Sequence, residues 1–105
     1  MAFRYSSVKE AFRRGHYYWQ QHALQRLAER NLRQKDVVEA IMSGEIIEEY
    51  PDDHALPSAL ILGWIGKRPL HIVVGWDADS ATAYIITAYV PDARHFESDY
   101  RTRRT

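Results

Sequence analysis

The spacing of apolar residues changes character at Gly44, and that change restricts the chain to folds in which helices come first and a sheet follows. Before Gly44 apolar side chains recur at helical intervals; after it they run in short, nearly unbroken stretches of strand length. Helices followed by strands, without alternation, describe an α+β domain rather than a parallel α/β one. The length of 105 residues predicts a single domain over 1–105, with 1–16 as an N-terminal extension and 91–105 as a basic C-terminal tail. A domain of this size buries a workable core with little stability in reserve.

The helical part divides at Gly15 and near Arg30. Residues 7–14 are expected to form a short helix, with Ser6 or Ser7 as N-cap, Glu10 in its first turn and Gly15 as its stop. Val8, Ala11 and Phe12 form its apolar stripe. A stronger helix is expected over 17–30, with Tyr17, Leu24, Leu27 and Ala28 turned to the core. Its other side carries Trp19, His22, Arg26 and Arg30, the last three being successive i, i+4 neighbours on one ridge. A third helix over 35–43 is expected to bury Val37, Val38, Ile41 and Met42, with Gly44 as its C-cap.

Four antiparallel strands are expected beyond Gly44, over 45–50, 59–65, 70–76 and 82–90, joined by turns at 66–69 and 77–81. Two tight connections in succession make a meander. Alternation puts His71, Val73 and Gly75 on one face of the third strand, and Ile85, Thr87 and Tyr89 on one face of the fourth. A five-residue turn pairing Trp76 with Thr82 would set His71 opposite Thr87, with Tyr89 beyond it. A slip of one residue reverses that arrangement.

Composition removes several classes of function. No stretch approaches the ~20 apolar residues of a membrane span. The start Met1-Ala2-Phe3-Arg4-Tyr5 lacks the order of a signal peptide, and cysteine is absent. A cytoplasmic location without disulfides is therefore expected. There is no Gly-rich phosphate loop, no G-x-S-x-G and no H-E-x-x-H. Asp52, Asp53 and His54 are adjacent, which is poor ligand geometry, so neither metal nor cofactor is expected. The zero net charge hides a segregation: residues 1–35 hold eight basic side chains against two acidic, and residues 36–92 hold ten acidic against two basic. Two readings stand: a polyanion at the basic end, or mutual attraction of the two halves after folding.

RNA is the polyanion for which the side chains offer chemistry. Cleavage without metal needs a base for the ribose 2′-OH, an acid for the departing 5′ oxygen, and cations for the phosphorane charge. His22 and His71 suit proton transfer. Arg26 and Arg30 suit phosphate, and Thr87 and Tyr89 suit positioning or proton relay. Each residue also has a plain structural reading: a solvated helix pair for His22 and Arg26, a helix-end cap for Arg30, and ordinary strand packing for His71, Thr87 and Tyr89. Tyr17, Tyr18 and Trp19 can stack on bases or anchor the start of their helix.

The run His22-Ala23-Leu24-Gln25-Arg26-Leu27-Ala28-Glu29-Arg30 resembles the H-A-x-x-R-x-x-x-R helix of a bacterial family, domain of unknown function 4258. Asp36-Val37, Gly44-Glu45-Ile46-Ile47 and Tyr50-Pro51-Asp52-Asp53 extend the resemblance, as do Pro69-Leu70-His71-Ile72-Val73-Val74 and Ile85-Ile86-Thr87-Ala88-Tyr89-Val90-Pro91. The likeness implies a fold of the RelE/MqsR toxin type: two or three helices on a four-stranded antiparallel sheet. It also implies a metal-independent endoribonuclease of a toxin–antitoxin system, partnered by an antitoxin of zinc-finger type. By position it points to His22 and Arg26 on the helix and to His71, Thr87 and Tyr89 on the sheet. The basic cluster on which many RelE-type enzymes depend has no evident counterpart in the sequence. The alternative is a non-catalytic module on the same scaffold that binds RNA or protein.

Overall fold

The aromatic triplet Tyr17-Tyr18-Trp19 has high β-propensity, and in the computed structural model it is a strand rather than the first turn of a helix. The structure describes residues 4–92 and 94–103. Residues 1–3, 93, 104 and 105 lie outside it, and with them part of the N-terminal reading and Arg104 of the basic tail. The elements are α1 (Tyr5–Arg13), β1 (Tyr17–Trp19), α2 (Gln21–Glu29), α3 (Gln34–Ser43), β2 (Glu45–Tyr50), β3 (Ser58–Ile65), β4 (Arg68–Asp77) and β5 (Thr82–Tyr89). They form an α+β fold with a mixed sheet in the order β1-β5-β4-β3-β2.

The expectation of four antiparallel strands is corrected to five, because β1 joins the edge of β5 in parallel, Tyr18 beside Tyr84. This shortens the helix expected over 17–30 and rotates its buried stripe. Ala23 and Leu27, four residues apart, enter the core, while Leu24 is 39% exposed and Ala28 lies on the surface. The first helix begins two residues earlier than expected, with Arg4 at the N-cap position and no side-chain cap from either serine. Tyr5 fixes it to α3 through a hydroxyl hydrogen bond to the Ile41 carbonyl.

All three helices pack on one face of the sheet. Val8 and Phe12 of α1, Leu27 of α2, and Val37 and Ile41 of α3 meet Ile61, Ile72, Val74 and Ile85 in one buried cluster. Each such aliphatic side chain contributes roughly 1.5–3 kcal/mol on leaving water. Two glycines let α3 close on the sheet. A Cβ on Gly63 would lie 2.3 Å from the Ala40 carbonyl oxygen, and one on Gly44 would lie 2.6 Å from the same atom. Gly44 does cap α3, but with φ −88°; clearance, not left-handed backbone, is what its missing side chain provides.

The register of the last hairpin differs from the expectation by two compensating steps. The turn pairs Asp77, not Trp76, with Thr82, and a bulge at Ile86 adds one more residue. His71 therefore faces Tyr89, and Thr87 faces Val73. Two shifts of one residue preserve the face, so Thr87 and Tyr89 stay on the side of His71. Ile85, expected beside them, instead pairs with Val74 and is buried under the helices.

The second face of the sheet is also covered. Ser58, Leu60 and Leu62 are buried although they point away from the helices. The C-terminal segment, expected as a basic tail, folds back here: Phe96 is 3% exposed and pairs with Arg103. At the free margin of β5, β1 reaches only Ala83 to Ile85. Beyond it the Arg30 guanidinium donates to the Ala88 carbonyl at 2.6 Å.

Gly63→Ala should lower stability by about 1–3 kcal/mol, because neither the Ala40 backbone nor β3 can yield cheaply. Urea titration with an unchanged slope and a lower midpoint is the expected result; an unchanged midpoint would mean that α3 is not held this close.

Candidate active site on the second face of the sheet

Alternation along β4 turns His71 away from the helices while Leu70 and Ile72 enter the main core. The tail closes over it. Its ring is fully buried, edge-on to Phe96 at 4.5 Å and to Tyr89 at 5.4 Å. Nε2 lies 2.6 Å from the Tyr100 carbonyl oxygen, and Nδ1 lies 3.4 Å from the Tyr89 hydroxyl, at the long end of hydrogen-bond range.

These contacts define a protonation state. A carbonyl only accepts, so Nε2 must carry a proton. Burial drives the ring below its ordinary pKa, outweighing the Tyr100 carbonyl bond that favours the cation; the charge of Arg103 works with burial. A neutral imidazole with its proton on Nε2 leaves Nδ1 bare, and a bare Nδ1 accepts from the Tyr89 hydroxyl.

A charged rim completes the cluster. Glu48 and Tyr50 project from β2 on the same face, with Tyr50 donating to Glu48 at 2.9 Å. Arg103 of the tail pairs with Glu48 and lies over the Phe96 ring at 4.9 Å. A second tail arginine, Arg101, pairs with Glu45 at the start of β2. Burial acts to raise the Glu48 carboxyl, but hydrogen bonds from Arg103 and Tyr50 outweigh it and hold the group below the usual range. Burial raises the Tyr89 hydroxyl above its ordinary value; the charges of Arg103 and Arg30 pull the other way, and those of Glu48 and Asp92 add to the rise. Arg103 and Arg30 thus both act on this tyrosine, and each keeps guanidinium donors beyond the bond it makes.

Of the six residues singled out from sequence, His71, Thr87 and Tyr89 share this face, and Arg30 reaches its margin at β5. His22 and Arg26 belong to α2, whose buried residues Ala23 and Leu27 join the core on the opposite side. The His22 side chain is exposed and makes no hydrogen bond among the described residues. Arg26 pairs with Glu29 at 3.5 Å. The histidine pair expected to share one phosphate is therefore separated by the sheet. Glu48, Tyr50, Tyr100 and Arg103 were not anticipated. The two-residue spacing of Glu48 and Tyr50 carried their common face; nothing local announced the tail residues. The described residues include no group of side chains arranged to hold a metal ion, and no helix of the described residues is long and apolar enough to cross a membrane.

A family model described as domain of unknown function (DUF4258) matches residues 19–90. The match takes in α2, α3 and the four long strands, and leaves α1 and the tail outside. No curated protein and no solved structure matches the chain.

Because the folded pKa of His71 lies below the ordinary 6.5, its contribution to stability is complete above about pH 6.5 and is lost as pH falls through the folded value. The unfolded ring takes up a proton that the buried ring refuses. Urea midpoints should therefore decline as pH falls below about 6.5, and His71→Phe should flatten that part of the curve. An unaltered slope in the variant would show that the imidazole is not held neutral.

Proposed function

The chain belongs to the DUF4258 family, and from that premise we propose that it is a metal-independent endoribonuclease acting at the Tyr89–His71 pair. The observation that carries this reading is a buried, neutral histidine whose bare Nδ1 faces a tyrosine hydroxyl that feels the charges of Arg103 and Arg30. Such a pair is a proton acceptor with cations beside it, which strand cleavage at a phosphodiester requires.

In this reading the RNA meets Tyr89, which is half-buried, and not the enclosed His71. The ribose 2′ oxygen attacks phosphorus as its proton passes to the Tyr89 oxygen and the phenolic proton moves to His71 Nδ1. The P–O5′ bond breaks, leaving a 2′,3′-cyclic phosphate and a 5′ oxygen that takes its proton from water. Arg103 and Arg30 stabilise charge on the phosphoryl oxygens, and Thr87 helps to position the strand. His22 and Arg26 have no part in the chemistry. The domain is taken as a RelE/MqsR-like toxin working in the cytoplasm, restrained by an antitoxin of zinc-finger type. Helices on one face and a polar cluster on the other support that reading.

The second reading is a non-catalytic RNA-binding module. It is favoured by the exposed His22 and Arg26, together with Tyr18, which is 63% exposed and stacked on Tyr84 at 5.8 Å. Aromatic faces of this kind take single-stranded bases.

End-labelled RNA incubated with the protein in EDTA separates the two. The ribonuclease reading expects 2′,3′-cyclic phosphate ends, a loss of about 100-fold in Tyr89→Phe, and less than about twofold change in His22→Ala. Intact RNA that is bound, with affinity falling steeply as salt rises, would replace it with the binding module.

A further inference from the structure

A second concave site lies on the helical side, built largely from residues outside the family match. One face of α1 and the β4–β5 turn enclose an open groove of about 620 Å³. Clefts that hold small molecules run from roughly 300 to 1,000 Å³. Buried Ala11 and Trp76 give it an apolar floor, and exposed Ala78 and Ala81 line it from the turn together with Arg4, Arg14 and His16. Ten residues separate the two arginines, about 15 Å along a helix axis. A ligand near one arginine therefore leaves the other to meet its far end.

Glu10 supplies the informative detail. Its side chain is 46% accessible, yet its Oε2 is turned inward, shielded from solvent, and accepts no hydrogen bond among the described residues. Arg14 Nε stands 3.9 Å away, close enough for attraction but too far for a hydrogen bond. A shielded carboxylate oxygen without a donor calls for one. The groove thus asks for three things together: an anion at Arg14 and His16, a hydrogen-bond donor one turn away at Glu10, and a flat, weakly polar body on the alanine and indole floor. A simple dicarboxylate offers no donor, and an inorganic anion offers no body.

We propose that this groove binds a nucleoside monophosphate. The phosphate lies at Arg14 and His16, a ribose hydroxyl donates to Glu10, and the base lies along Ala11 and Trp76 towards Arg4. The site is independent of the ribonuclease reading, since its side chains lie on the other side of the sheet from His71.

The test is titration of the full chain with AMP, adenosine and inorganic phosphate, followed by calorimetry and by amide shifts in NMR. Saturable AMP binding is expected, at least tenfold tighter than adenosine or phosphate alone, with shifts at Ser7, Glu10, His16, Ala78 and Ala81. Arg14 is exposed, with a side chain 69% accessible, so Arg14→Ala should fold normally. It should weaken AMP about tenfold while leaving adenosine nearly unchanged. No saturable binding, equal affinity in the variant, or shifts confined to His71 and Tyr89 would each overturn the assignment. Displacement by an acidic peptide that binds more tightly than AMP would overturn it too, and give the groove to a protein partner.

Discussion

A strand buried on both faces needs two covers, and β3 is such a strand: the six residues from Ser58 to Gly63 are all buried. Three helices provide one cover. The C-terminal segment contributes to the other, with Phe96 as the wedge. The placement of His71 follows from this demand. Its strand position turns it to the second face, and the returning tail encloses the imidazole there. Burial of a polar ring is tolerable because both nitrogens have partners.

The same closure links packing to chemistry. The carbonyl that receives the Nε2 proton belongs to Tyr100, a residue at φ 59° in a turn of the tail. That turn is held to β2 by the ion pairs of Arg101 and Arg103. These exposed pairs add little to overall stability. Their effect is positional: they keep a tail carbonyl against a strand histidine and so determine which ring nitrogen stays free.

Period and propensity made most of this architecture readable. The third helix, β2, β3 and both turns of the meander fall close to where apolar spacing puts them, because their core contacts agree with local preference. The misreadings have separate causes. Tyr17-Tyr18-Trp19 fits a helical stripe as well as a strand, and only pairing with a distant β5 decides between them. The Ile86 bulge leaves no mark in an unbroken apolar run, and with the one-residue change at the turn it moves the partner of His71 by two positions while keeping its face. Glu48 and Arg103 lie 55 residues apart, and no spacing rule connects them. The candidate site was thus half legible: residues on adjoining strands could be grouped by parity, whereas those brought together by the tail's return could not. Residue chemistry and resemblance link His22 to His71, but neither carries a distance, and the sheet lies between them.

Arg30 at the margin of β5 has a consequence for how these molecules behave in a crowd. A three-residue β1 leaves much of that margin without a neighbouring strand, and unpaired strand backbone is a template on which another polypeptide can lay itself. The guanidinium occupies the Ala88 carbonyl and places a charge where an incoming strand would have to pair. An arginine that caps a helix end in sequence terms thereby works as a stopper, keeping the sheet from growing from one molecule into the next.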